Sequence, residues 1–281
     1  MRNTKNTQTI KHESDLPLSK GYVLMLDVLG FREYITRTGM SKFLDFWMKL
    51  KNDVMRTCRN LDDNDEYSLA KFDIMFLSDT IVICLSSKQG ATIRPEKLIG
   101  FVAVILESIF ISSFKQGVFF RGAISFGDFF CDSKNNIAMG AAITEAYEWH
   151  ESTEWIGIIL APSAKYTIER IIMLAPIGGY LDKEIKNSFI LYKPPFKNNL
   201  TFETFVFKWI DEIGDIVSDG LELSSILEVL SDLSYPVSVI RKYENTMIFI
   251  RHILNIDMEK FRSENTRMQV DFHKLSTTDN S

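Results

Sequence analysis

The chain has 281 residues, 46% hydrophobic and 25% charged, with a formal net charge of −5. This is globular composition with enough apolar material for a core, and the length fits one large domain or a domain with an appended piece. The acidic balance and the lack of a dense Lys/Arg tract exclude a nucleic-acid binder that relies on a general basic footprint, while three cysteines and four histidines without metal-ligand spacing argue against a zinc centre and for a reducing, cytoplasmic setting.

Residues 1–19 are polar and mixed in charge, which reads as a disordered N-terminus and not as a signal peptide. YVLMLDVLGF (22–31) follows, a strand over 21–28 interrupted by Asp27. A lone charge in a core costs several kcal/mol unless something neutralises it, so Asp27 requires a partner. Phe43, Phe46, Trp47, Leu50 and Val54 recur at helical spacing and predict an amphipathic helix. After a charged loop at 61–66, two apolar runs at about 72–77 and 80–85 meet at Ser78-Asp79, a hairpin with an acidic tip. Pro95 opens and Gly117 closes a second long helix that is apolar nearly all round, hence buried; its longest apolar run is broken by Glu107 and falls short of the ~18 residues a membrane span needs.

VFFRGAISFGDFF predicts the next strand, where Gly122 and Gly127 mark a bulge or a close approach by another group. CDSKNNI reads as a loop, MGAAITEAYEWHES as a helix, and WIGIILAP as a strand ending at Pro162. Beyond residue 165 the signal weakens: SFILYKPP and TFETFVF are possible strands, and two helices follow, divided near Tyr235-Pro236, before a frayed tail. The order β-α-β-β-α-β-α-β predicts an α+β fold, one sheet with helices packed on one face, related to the ferredoxin-like pattern.

In such a sheet Asp27, at the end of the first strand, and Asp79, at the hairpin tip, can converge although they are far apart in sequence. Two adjacent carboxylates repel and raise at least one pKa, a conflict that a divalent cation removes. Hard cations such as Mg²⁺ take oxygen ligands and retain substrate phosphates. Two of them can clamp the attacking and leaving oxygens of an in-line displacement. The plainer reading is that Asp27 caps the turn before Gly30 and Asp79 accepts backbone N–H groups in the hairpin.

Taken together, Asp27-Val28-Leu29-Gly30-Phe31, Ser78-Asp79, Arg121-Gly122-Ala123-Ile124 with Gly127, and Gly140 leading Ala146-Tyr147-Glu148 resemble the catalytic core of class III nucleotidyl cyclases over about residues 21–161. The resemblance implies a cyclase-like core at 20–165, further strands and C-terminal helices of the same domain at 166–265, and a flexible tail at 266–281. It implies that Asp27 and Asp79, with the Val28 carbonyl, bind two Mg²⁺ or Mn²⁺ ions, and that Leu29, Gly30 and Phe31, with Ser78, lie against the nucleotide. Arg121 would meet phosphate, since a guanidinium suits bidentate phosphate contact; its other reading is a buried arginine paired within the sheet.

The departures from the family pattern are specific. Where those enzymes carry an Asn and an Arg on the helix after the glycine, this chain has Thr144 and Glu148, so either another cation, such as Arg121 or Arg32, stabilises charge or the site is slower or inactive. Where adenine is read by a Lys and an Asp, it has Met75 and Ile137, with Lys71, Asp73 and Asp132 nearby. A site lacking those partners loses purine discrimination. The chain is most similar to the Pycsar antiphage cyclases, which make cyclic CMP or cyclic UMP for a separate effector that is reached through the product alone. Tyr34, Phe31 and Phe76 are candidates for a small base pocket, with core packing the alternative. The resemblance further implies a homodimer with composite sites and no membrane or nucleic-acid partner; Ile210, Ile213, Val217 and Leu221 recur at helical spacing and are candidates for dimer support or for packing on their own sheet. The competing functions are a purine cyclase and a non-catalytic nucleotide-binding protein on the same fold. The absence of a Gly-Gly-Asp-Glu-Phe run lowers a diguanylate-cyclase or palm-polymerase relative.

Overall fold

The computed structural model describes residues 18–62, 69–114, 116–174, 185–210 and 237–253. In chain order the elements are β1 (Ser19–Val28), α1 (Phe31–Thr38), α2 (Met40–Asp62), β2 (Ala70–Leu77), β3 (Thr80–Ser87), α3 (Pro95–Phe114), β4 (Phe120–Asp132), β5 (Ile137–Met139), α4 (Ala141–Ser152), β6 (Gly157–Leu160), α5 (Pro162–Leu174), β7 (Phe189–Tyr192), β8 (Thr204–Phe207) and α6 (Val237–Ile253). The strands form one mixed sheet in the order β2-β3-β1-β4-β6-β8-β7, with β5 paired to β4. β1 lies antiparallel to both β3 and β4, and β4 runs parallel to β6 through the α4 crossover.

β1 is buried on both faces because its even and odd positions are both apolar. Tyr22, Leu24 and Leu26 face a large core with Leu50 and Val54 of α2, Val102, Ile105 and Leu106 of α3, and Ala164 and Ile168 of α5. Successive side chains point to opposite faces of a strand, so Val23 and Met25 enter a smaller cluster with Val82, Cys84, Phe129, Cys131, Ala142 and Ala146. The expectation of helices on one face therefore describes α2, α3 and α5, whereas α4 covers the other face, because a second apolar surface there has to be closed. α3 is long and apolar enough to cross a membrane by length and composition, and 61% of its most apolar window is buried inside the fold. All three cysteines are free and buried.

Three elements differ from the sequence reading, one of them α5, a helix that opens at Pro162 where only the end of a strand was expected. The segment after Gly30 forms the short helix α1, and the stretch read as a loop after Phe130 turns back as β5, pairing Phe130–Asp132 with Ile137–Met139. Asp132 builds that turn by accepting the N–H groups of Lys134 and Asn135 at 3.1 and 3.2 Å. In the second half, β8 and β7 extend the same sheet past β6. α6 docks on the segment leading into β6. Asn245 Nδ2 donates to the Glu154 carbonyl at 2.7 Å, the Ile156 N–H donates to Thr246 Oγ1 at 2.8 Å, and Phe249 meets the Trp155 ring edge-on at 4.7 Å. Ile210 is buried; Ile213, Val217 and Leu221, the expected disordered N-terminus, the tail and most of the helix expected after Phe207 lie outside the described residues.

Gly122 is a close approach and not a bulge: a Cβ there would sit 2.5 Å from the Met25 carbonyl oxygen and 2.6 Å from Leu26 Cδ2. Because the first of these is backbone in a central strand, Gly122→Ala is expected to destabilise the protein by roughly 2 kcal/mol or more. A urea titration checks this, the expected result being a lower midpoint at unchanged slope.

Candidate active site

The β1–β4 ladder sets Asp27 directly opposite Arg121. Both side chains lie largely buried, 17% and 13% exposed, and Arg121 donates twice to the same carboxylate oxygen, from Nε at 3.0 Å and Nη2 at 2.9 Å to Asp27 Oδ2. Within the chain, then, the aspartate that interrupts β1 is met by an arginine two hydrogen bonds away. That partner does not fully compensate it. Burial pushes the Asp27 carboxyl above the usual carboxylate range, Arg121 pulls it back, and the nearby Asp79 pushes it up further.

Asp79 reaches this place through the β2–β3 turn. Ser78 takes up the left-handed region (φ 55°), which ends β2 abruptly and sends Asp79 back toward β1. The Val28 N–H donates to the Asp79 carbonyl at 3.0 Å, and the Leu29 N–H donates to the Phe119 carbonyl at 2.8 Å, so the exit of β1 is pinned to both neighbouring strands. Gly30 follows at φ 71°, a conformation that disfavours any other residue, and it opens α1 with no side-chain cap on the first turn.

One end of the sheet therefore gathers the Asp27 and Asp79 carboxylates and the backbone of Val28 to Phe31. No cluster of three or more His, Cys, Asp or Glu side chains occurs among the described residues. Two carboxylates and a backbone carbonyl fit Mg²⁺ or Mn²⁺, which complete their shells with phosphate oxygens and water.

The remaining expected residues divide. Phe31 and Tyr34 set their rings against Phe43 at 4.8 and 5.8 Å, and Phe76 meets Trp47 edge-on at 5.3 Å, so all three take part in packing around α2. Arg32 is exposed. Met75 is buried and Ile137 is 40% exposed on β5. Lys71 pairs with Asp73 at 2.6 Å, and Ser133 Oγ donates to the same carboxylate at 3.0 Å. Thr144 returns its hydroxyl to the Gly140 carbonyl at 3.2 Å, and Glu148 is exposed on α4.

Two residues near Asp27 were missed. His150 sits one turn beyond Ala146 on the face of α4 that meets the sheet, and its Nδ1–H donates to the Tyr147 carbonyl. Burial holds it below the usual histidine range, and it lies within the electrostatic reach of Asp27 and Arg121. The Ala142, Ala146, His150 spacing was a signal available in the sequence. Lys242 of α6 lies in the field of Arg121, Lys197 and Asp27, with burial the main cause that lowers its pKa. Lys242 carries no local signal, because tertiary docking alone brings it here.

No family model matches the chain, and no curated protein does. Solved structures with a similar course of the backbone include the adenylyl cyclase CyaB from P. aeruginosa (11% identity, TM-score 0.43, covering 68% of this chain and 94% of that one). They include the dimeric guanylyl cyclase domain of the RhoGC fusion protein from Blastocladiella emersonii (10%, 0.47, covering 68% and 96%). A third is the guanylate cyclase domain of RhGC from Catenaria anguillulae in complex with GTP (12%, 0.44, covering 68% and 96%).

Removing one partner of a buried ion pair strands the other, so Arg121→Met is expected to lower stability at neutral pH by roughly 3 kcal/mol. The sign with pH follows from Asp27. Its folded pKa, already raised, rises further without Arg121, so the stability difference between variant and wild type shrinks as pH falls through the folded Asp27 pKa of the variant and then that of wild type, below which the folded carboxyl is protonated in both proteins. Urea unfolding of wild type and variant across that range is the check; a pH-independent difference would assign the loss to packing.

Proposed function

We propose that the chain is a nucleotidyl cyclase that converts a pyrimidine nucleoside triphosphate, UTP or CTP, to its 3′,5′-cyclic monophosphate and pyrophosphate. The observation that carries this reading is the convergence of Asp27 and Asp79 beside the uncapped start of α1, joined by the Val28 N–H to Asp79 carbonyl bond at 3.0 Å. Asp27, Asp79 and the Val28 carbonyl would hold two Mg²⁺ or Mn²⁺ ions, which when bound lower the pKa of the ribose 3′-hydroxyl and offset charge on departing pyrophosphate. The N–H groups at the start of α1 are placed to take phosphate oxygens, since a helix N-terminus favours anions. Gly30 lets backbone approach them without a side chain between. Arg121 fixes the orientation of Asp27 and leaves Oδ1 outside its own contact.

The pyrimidine preference rests on Met75 and Ile137, apolar at the positions where the family reads adenine. A purine cyclase is the second reading, favoured by the Lys71–Asp73–Ser133 group, which offers a polar lysine and carboxylate a few residues away on the same strand. On the resemblance to the Pycsar enzymes, the protein works as a homodimer with composite sites, and its product is a second messenger in antiphage defence, read by a separate effector.

The purified protein, given Mn²⁺ and each of ATP, GTP, CTP and UTP, is expected to release pyrophosphate and cyclic UMP or cyclic CMP, identified by mass spectrometry. Asp27→Ala and Asp79→Ala are each expected to lower the rate by at least about 100-fold, the scale on which loss of transition-state charge stabilisation acts. Cyclic AMP or cyclic GMP would move the assignment to the purine reading, and no product from any nucleotide would favour a binding protein.

A further inference from the structure

The described part of the C-terminal region adds positive charge to the Asp27 end of the sheet. α6 is fixed over the starts of β4 and β6 by contacts that do not involve Lys242 Nζ: Tyr243 meets the Phe119 ring at 6.4 Å, Asn245 holds the Glu154 carbonyl, and Thr246 receives the Ile156 N–H. Thr246 is fully buried, and its hydroxyl also donates to the Lys242 carbonyl at 2.7 Å. Residues four apart share a helix face, so Lys242 lies on the docked side of α6, one turn nearer its start. Ile156 precedes Gly157, the β6 residue paired with Arg121. The helix thus carries Lys242 to the strand end where Arg121 meets Asp27, and Lys242 is partly buried there.

Counting Arg121, Lys242 and Lys197 against Asp27 and Asp79, this place carries one positive charge in excess. Asp27 is already bound by Arg121, and Glu154 is held by Arg241 at 3.2 Å. Lys242 makes no ion pair among the described residues, and Lys197, at the turn between β7 and β8, adds a second ammonium within its field. Lys242, partly buried, loses hydration and is repelled by the exposed Lys197 and by Arg121. A multiply charged anion beside the acid pair removes both costs, and a triphosphate is such an anion.

We propose that Lys242, supported by Lys197, is a phosphate-binding residue of this site and supplies from α6 the cation that α4, with Glu148, does not. The inference rests on the cyclase reading for the identity of the nucleotide, but the anion site itself does not require it. Lys242 would contact a phosphate oxygen directly, whereas Arg121 stays with Asp27.

The test measures binding and turnover separately. Inorganic tripolyphosphate is titrated calorimetrically into the full chain in EDTA, using wild type, Lys242→Met, Lys242→Gln and Lys242→Arg, each first shown to keep the wild-type melting curve. Loss of a charge-assisted hydrogen bond is expected to weaken tripolyphosphate by about tenfold or more in Lys242→Met and Lys242→Gln, with Lys242→Arg restoring most of the affinity. In Mn²⁺ turnover the same two variants should lose kcat/KM, again rescued by Lys242→Arg, which a purely structural role for the lysine stem would not produce. Tripolyphosphate binding that is absent from wild type, or equal in wild type and Lys242→Met, overturns the proposal even if cyclic product forms. Binding that depends on Lys242 in a protein that makes no product from any nucleotide upholds the anion site while the cyclase reading fails.

Discussion

The arrangement depends on one ion pair, Asp27 with Arg121, set into the centre of an antiparallel ladder. Neither residue is near a free edge: β1 is flanked by β3 and β4, and β4 by β1 and β6. The pair is largely buried, so its geometry is not negotiable in the way a surface pair is. Arg121 approaches from the cross-strand position and uses both donors on one oxygen. This holds the carboxylate at a fixed angle beside the hairpin tip that carries Asp79. The raised Asp27 carboxyl follows from the same placement, since burial outweighs what one guanidinium returns. Strand burial, turn geometry and site electrostatics thus meet in a single contact.

Most of the fold was legible because its elements are strongly periodic. The helices α2 and α3, the 72–85 hairpin and the strand through Gly122 all follow from apolar spacing and from Pro, Gly and Ser-Asp punctuation. Gly122 was read as a bulge or a close approach, and the Met25 carbonyl decides for the second. The face of α4 was marked only weakly, by the Ala142, Ala146, His150 spacing: two of the three are too small to declare a buried stripe, and the odd-numbered apolar residues of β1 show that a second face needed covering. β5 was hidden because three residues after a polar turn carry almost no periodic signal.

The site was legible in proportion to how local its parts are. Asp27 and Asp79 announced themselves as charges inside or between apolar runs, and Arg121 as a cation opening a strand. Phe31, Tyr34 and Phe76 carried no information that separates a base pocket from core packing, and their rings rest on Phe43 and Trp47. Lys197 and Lys242 had no local mark at all. A lysine on an amphipathic helix reads as solvated until the docking of that helix is known.

The docking of α6 also orders events in time. The Ile156–Thr246 hydrogen bond spans 90 residues, so the helix can dock only once the chain has been made to residue 246. Before residue 197 is made, the end of the sheet holds Asp27, Asp79 and Arg121 and is formally acidic; once α6 seats, Lys197 and Lys242 make it formally basic. Long-range closures of this kind are the slow ones, since the entropy of the intervening loop is lost before the contact forms. The ends of β1, β3 and β4 alone bring Asp27, Asp79 and Arg121 together, one negative charge in excess, and it is a helix from far along the chain that adds Lys242 to them.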